Sequence, residues 1–519
     1  MRDSTGISPE FAATTSLRSI RSTPSISSHA VTNWFERDDS YADPPSREEK
    51  RVPPRAGPSA RGQSPSALTG AEIVAHREGL ARFAAAGAVI VPNVTVDASQ
   101  SISPTSKTVT ALLATPWVPF ATVVGWFTWA YLRLRPAAIV TSSAHAGRSY
   151  GPWAWGHLAY SDLISLYYAH HLFNHALPYV RVRIEYPVLT GVYMWLASWA
   201  PGVQGYFLVS SLGLLACALG TLHLLYRIDR RLGWTFALCP LLLVYGLLNW
   251  DLFAIFLMVA GWSRFRAQRY TSAGVLLSLA VWAKFFPIIL LVYCIISLLH
   301  DPHDRDHAWR MTRWAGGTAL VVNVPFAAAN PANWAHFYVF NLRRSGRGGI
   351  FYFLHFASAL STPVVDLLSG GLVVLVAILL VPRVLNGDSP MAATAVVFAA
   401  LMLVNKVFSP QYMLWLVVVG VVALWPTWSL ATMSAAGILN YVVAMVILYL
   451  LHTRSPSFAW FFHVVNPWNV ALRYGSITLG LFAALILRRD RPWSPTVPAS
   501  LKPHDERGRA VRVEESPTG

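Results

Sequence analysis

The feature that most constrains this chain is a succession of apolar runs, each near the length needed to cross a lipid bilayer or about half of it. A helix needs about 17 to 25 apolar residues to span the hydrocarbon core. Inside that core every backbone polar group has to be satisfied within the protein. The runs begin near Thr108 and are separated by short polar clusters. Only 13% of the residues are charged, where a soluble domain carries about 25%. The sequence therefore predicts an all-α polytopic membrane protein.

The net charge of +16 raises the question of nucleic acid, and its distribution excludes that partner. The basic residues sit in short clusters at the ends of apolar runs, as the positive-inside rule requires, and Trp and Tyr gather at the same ends as an interfacial belt would. Cys217, Cys239 and Cys294 lie inside apolar runs. They read as packing residues rather than a disulfide or metal framework.

Three regions follow. Residues 1–108 are rich in Ser, Pro, Thr and Arg, as in Pro44-Pro45-Ser46-Arg47-Glu48-Glu49-Lys50-Arg51. They bury too little apolar surface to offset chain entropy, so a disordered cytoplasmic tail is expected, with a short helix over Ala67–Pro92. Residues 109–491 form the membrane domain, and residues 492–519 a second disordered cytoplasmic tail. About twelve transmembrane helices are expected. The first is Val109–Tyr131, and the others are Gln204–Tyr226, Trp234–Leu248, Leu252–Trp262, Tyr270–Ala283, Phe285–Leu299, Trp314–Ala329, Val364–Val381, Met391–Val404, Met413–Trp425, Leu430–Leu451 and Val470–Leu487. Between the first two, Leu132–Ala200 is too polar to span. Ser161 is a candidate N-cap, after which Leu163, Leu166, Tyr167, His170, Phe173 and Leu177 fall on one helical face. That predicts an interfacial helix. Tyr186–Trp199, stopped by Pro201, predicts a second.

Charge parity orients the bundle. The clusters at Arg227–Arg231, Arg264–Arg269, Arg305–Arg313 and Arg488–Arg491 are expected in the cytoplasm. The opposite face then receives the 132–185 loop, Asn249-Trp250-Asp251, Lys284, the 330–362 loop, residues 405–411 and residues 452–468. Nearly all the unusual polar residues lie there, so the working face is expected outside, at a plasma membrane. Arg343, Arg344 and Arg347, and more mildly Arg133 and Arg135, are basic residues on that outer side. An anionic ligand explains such a placement.

The ordered set Tyr160-Ser161-Asp162-Leu163, Glu185-Tyr186-Pro187-Val188-Leu189-Thr190-Gly191, Asn249-Trp250-Asp251, Lys284-Phe285-Phe286-Pro287 and Asn405-Lys406-Val407-Phe408-Ser409-Pro410-Gln411-Tyr412 resembles the family 87 glycosyltransferases of the GT-C fold. The resemblance runs from about Val109 to Arg491. It departs from the pattern at Tyr186-Pro187-Val188, where a second proline is expected in many relatives. It implies a GT-C-like bundle with interfacial helices in the first external loop. It further implies an actinobacterial-type α-mannosyltransferase-like enzyme that inverts the anomeric centre and draws on a polyprenyl-phosphate-sugar donor. The acceptor would be a cell-envelope lipid or glycan, in contact with membrane lipids. The family's essential Asp in the first external loop falls on Asp162 by position.

The residues carry compatible chemistry. A sugar hydroxyl is a poor nucleophile, and a carboxylate within hydrogen-bond reach can take its proton as the new bond forms. That is the catalytic role assigned to Asp162, against the plainer role of complementing its helix N-terminus. Arg343, Arg344 and Arg347 are candidate ligands of the donor phosphate, since guanidinium groups clamp phosphate bidentately. A nonspecific headgroup contact is the alternative. Lys406 joins them as an ionisable residue interrupting apolar sequence, with snorkelling as the alternative. Glu185, Tyr186, Asp251, Lys284, Gln411 and Tyr412 are candidate substrate-binding residues, structural pairing being the other role for Asp251. His170 and His171 cannot share a helix face, and His171 and His175, at helical i, i+4 spacing, lack a third ligand, so no metal is expected. No nucleotide-binding fingerprint is present, and no cofactor is expected. The competing readings are a multi-pass transporter or lipid-linked sugar flippase, for which no internal repeat is visible, and a non-enzymatic assembly partner.

Overall fold

The computed structural model describes residues 115–141, 146–344, 349–350 and 360–487. Both expected tails, the Ala67–Pro92 helix, the first residues of the Val109–Tyr131 span and Arg347 lie outside the described residues. Within them the chain is helical, and strands are absent among the described residues.

The helices are α1 (Val118–Val140), α2 (Ala146–Gly156), α3 (Asp162–Ala169), α4 (Val188–Ala197), α5 (Gly202–Ile228), α6 (Arg230–Ala237), α7 (Asp251–Arg266), α8 (Tyr270–Ala283), α9 (Ile288–Leu299), α10 (Arg305–Ala329), α11 (Pro331–Arg343), α12 (Thr362–Leu385), α13 (Pro390–Val404), α14 (Tyr412–Val422), α15 (Thr427–His452) and α16 (Asn466–Leu487). Four stretches among the described residues are long and apolar enough to cross a membrane: α5, α12, α15 and Ser457–Ile486, which contains α16. The apolar helices α4, α8, α9, α13 and α14 are shorter. The most hydrophobic of the long helices, α12, is also the least buried. Leu367, Leu372, Leu375, Ile378 and Leu379 stand exposed along it. Such a face is stable only against an apolar solvent, so the chain is an all-α membrane protein.

Short helices pack through close backbone approach. In α8 a Cβ at Gly274 would meet the Met311 carbonyl oxygen of α10 at 2.5 Å, so only glycine permits that crossing. A tight turn joins α7 to α8 with Gln268 at φ 57°, and the two helices pack as an antiparallel pair. The pair carries Arg264, Arg266 and Arg269 at the turn. Its other end, about 24 Å away at 1.5 Å per residue, carries Asp251 and Lys284.

Four expectations change in detail. The first span does not end at Tyr131: α1 begins at Val118 and continues through Leu132 to Val140. Trp234–Leu248 is not one helix: α6 stops at Ala237, and a single turn resumes at Leu241–Tyr245. Pro240 lies between them, where it lacks an N–H and its ring collides with the preceding turn. The helix expected to carry His170, Phe173 and Leu177 on one face ends at Ala169, with His171 and His175 both in left-handed backbone at φ 50° and 52°. His171 and His175 therefore do not have helical i, i+4 geometry. The second expected interfacial helix is present as α4, shorter than Tyr186–Trp199.

Candidate active site

The chain approaches Asp162 through a firmly held corner. Helix α2 ends with Leu158 in left-handed backbone at φ 51°, and Ala159 N–H closes on Ala154 O at 2.7 Å. This is a Schellman-type end built without glycine, and it is supported from outside. Arg133 donates to the Leu158 carbonyl, as does the Tyr441 hydroxyl at 2.7 Å. Arg133 thus has a role inside the protein that accounts for its place on the expected outer side. Tyr150 then accepts from Ser161 N–H at 2.9 Å and donates to Ser161 O at 2.8 Å. As its sequence position predicted, Ser161 caps α3: its Oγ accepts from Leu163 N–H, and it also donates to Leu247 O at 2.6 Å. Asp162 N–H donates to Leu248 O at 2.7 Å. The backbone at residue 162 is fixed before its side chain does anything.

The carboxylate is nearly enclosed, at 9% exposure. Tyr160 donates to Oδ1 at 3.0 Å and Tyr186 to Oδ2 at 3.1 Å. Burial pushes the Asp162 carboxyl up to about 6; the two tyrosine hydroxyls pull the other way, the Glu185 charge adds to the rise and Lys284 opposes it. A carboxylate held there is largely ionised at neutral pH yet basic enough to take a proton.

Tyr186 is the hinge of the site. Lys284 lies 5.0 Å over its ring, and Trp250 meets it edge-on at 5.4 Å. Lys284 is paired with the buried Asp251 at 2.8 Å. The α4 helix is tied to the same corner by Thr190, whose hydroxyl donates to Ala283 O at 2.6 Å. Glu185 pairs with His170 at 3.0 Å. Burial works against ionisation of Glu185, but the His170 partner outweighs it and holds the carboxyl below its usual range. An aromatic-walled recess opens beside Tyr186, lined by Tyr179, Trp282, Trp334, Phe337 and Tyr338.

Asp162, Glu185, Tyr186, Asp251 and Lys284 are thus brought together from four chain segments. Tyr412 joins through Phe286, which meets its ring edge-on at 5.2 Å. Gln411 is buried next to Tyr412, with no contact to Asp162 or Tyr186 among those described. Arg343 is exposed at the end of α11, and Arg344 sits 5.7 Å over the Phe340 ring. Lys406 is engaged by Asp366 at 2.7 Å. His175 stacks on Trp199 at 4.6 Å, a packing role.

Sequence reasoning missed four residues. Tyr160 was part of a motif but had no role. His170 has a place on a helical face and in a rejected metal set, but no sequence signal pairs it with Glu185. Asp366 has no neighbouring signal at all. Arg473 lies fully buried in α16, where it donates to Asn440 Oδ1 at 2.9 Å and stacks 3.9 Å over Phe408. A charged residue inside an apolar helix was the available signal.

The model of glycosyltransferase family 87 matches residues 185–410. The match covers less than half of the chain, and it takes in Glu185, Tyr186, Asp251, Lys284, Arg343, Arg344 and Lys406 but begins after Asp162. No curated protein matches the chain. Apolar helices open to a lipid-like surrounding, together with this match, define a membrane glycosyltransferase. The match supports its recognition as a family 87 glycosyltransferase.

Proposed function

We propose that the protein transfers a hexose, mannose by resemblance, from a polyprenyl-phosphate donor to a lipid or glycan acceptor at the outer face of the plasma membrane, with inversion. The observation that carries this reading is the Asp162 carboxylate, enclosed, held by two tyrosine hydroxyls and poised at about 6. In the reaction the acceptor hydroxyl gives its proton to Asp162 while its oxygen attacks the anomeric carbon. The bond from that carbon to the phosphate oxygen breaks, and the electron pair leaves with the polyprenyl phosphate. The leaving phosphate needs no proton, so one base suffices. Lys284 and Asp251 orient Tyr186, and through it Asp162, and Glu185 adds charge nearby. Arg343, Arg344 and Arg347 supply the positive charge that a departing phosphate requires. The aromatic walls of the recess beside Tyr186 suit an apolar substrate arm. Twelve membrane crossings and the outward orientation belong to the same proposal, resting on the apolar runs and on charge parity.

The test is transfer of label from polyprenyl-phosphomannose to endogenous acceptors in membranes containing the protein. Transfer that depends on the protein supports the reading. Transfer from a nucleotide sugar with none from the lipid-linked donor contradicts it.

A further inference from the structure

Lys406 is buried, at 8% exposure. Its ammonium meets Asp366 Oδ1 at 2.7 Å and Oδ2 at 2.9 Å, and donates to Leu342 O at 3.2 Å. An ammonium has three protons and no acceptor capacity, so its donors are already matched by protein oxygens. The backbone of the same residue holds a second point of the chain. A Cβ at Gly349 would overlap the carbonyl oxygens of Asn405 and Lys406. Leu342 and Gly349 lie on either side of Arg343 and Arg344 in the sequence, and both rest on Lys406. Asp366, near the start of α12, closes the arrangement from a third element.

A buried ion pair is weak evidence for stability, because apolar residues of similar volume often serve as well. This pair joins three elements around two arginines at a helix end, Arg343 exposed and Arg344 half-buried over the Phe340 ring. We propose that Lys406 and Asp366 form a positioning pair that sets Arg343 and Arg344 for the donor phosphate, and that Lys406 does not itself bind that phosphate. The inference rests on the lipid-phosphate donor reading above.

The experiment compares Lys406→Met, Asp366→Asn, Lys406→Asp, the conservative Lys406→Arg, and the charge swap of Lys406→Asp with Asp366→Lys. Two readouts are taken on the folded fraction: donor KM against kcat, and the rate at which trypsin cleaves after Arg343 and Arg344. Lys406→Met and Asp366→Asn are expected to raise donor KM about tenfold, the scale of a lost charged hydrogen bond, with kcat little changed and cleavage faster. Lys406→Arg and the swap should recover both. A swap as impaired as Lys406→Asp alone, with wild-type KM in Asp366→Asn, would mean that Lys406 touches the phosphate and would overturn the proposal. If wild-type protein does not use a polyprenyl-phosphate sugar, the donor reading fails separately. Cleavage then decides the pair, and unchanged cleavage in all variants would overturn it.

Discussion

Tyr186 donates a 3.1 Å hydrogen bond to Oδ2 of Asp162 while Lys284 lies 5.0 Å over the Tyr186 ring. One side chain thus connects the proposed base to the Lys284–Asp251 pair, and the pH behaviour of the enzyme follows from it. Burial raises the Asp162 carboxyl to about 6, so the carboxylate is protonated as pH falls through that value, and kcat/KM should drop along a limb centred near it. Tyr186→Phe removes a hydrogen bond that favours the charged form. Its acidic limb should move upward by about one pH unit, which equals about 1.4 kcal/mol. An unmoved limb would show that the limb does not report Asp162.

The Lys284–Asp251 pair gives a stability prediction. Asp251 is 2% exposed, so Lys284→Met leaves its carboxylate buried and unpaired, at a cost of about 3–5 kcal/mol. Thermal unfolding of the purified protein should show the loss. Lys284→Met combined with Asp251→Leu removes both charges and should recover most of it. Equal losses in the single and double variants would mean that the pair does not hold this corner.

Topology can be tested from outside intact cells with an impermeant thiol reagent. Ser345→Cys lies in the segment that the charge parity places outside, and Asn386→Cys lies just past the end of α12, one crossing away. Labelling is expected at residue 345 and absent at residue 386. The reverse pattern would invert the proposed orientation.

Local signals were legible in the sequence. Ser161 before Asp162 announces a cap because capping depends on two or three adjacent residues, and α8 appears at the expected bounds because an apolar run needs no partner to be read. Pro240 is equally visible in the sequence, and it divides the Trp234–Leu248 run between Ala237 and Leu241. The rest depended on distance. That α3 stops at Ala169 follows from how residues 170–182 fold back on the bundle: Asn330 and Asn333 both donate to Val180 O, at 3.1 and 3.0 Å. Lys406 was singled out, but Asp366 lies forty positions earlier and no periodicity links them. Tyr160 and Tyr186 converge on Asp162 only because Tyr150, Leu247 and Leu248 fix the turn between α2 and α3.

The central claim is that Asp162 takes the acceptor proton, and Asp162→Asn tests it most directly. Asparagine keeps the size of the side chain and can still accept from Tyr160 or Tyr186, but it is not a base. The variant should insert, unfold at a temperature near that of the wild type and bind the donor lipid. Its turnover should fall by about 10² to 10⁴, the range typical of a lost general base. A folded Asp162→Asn protein with near-wild-type turnover would contradict the account and direct attention to Glu185.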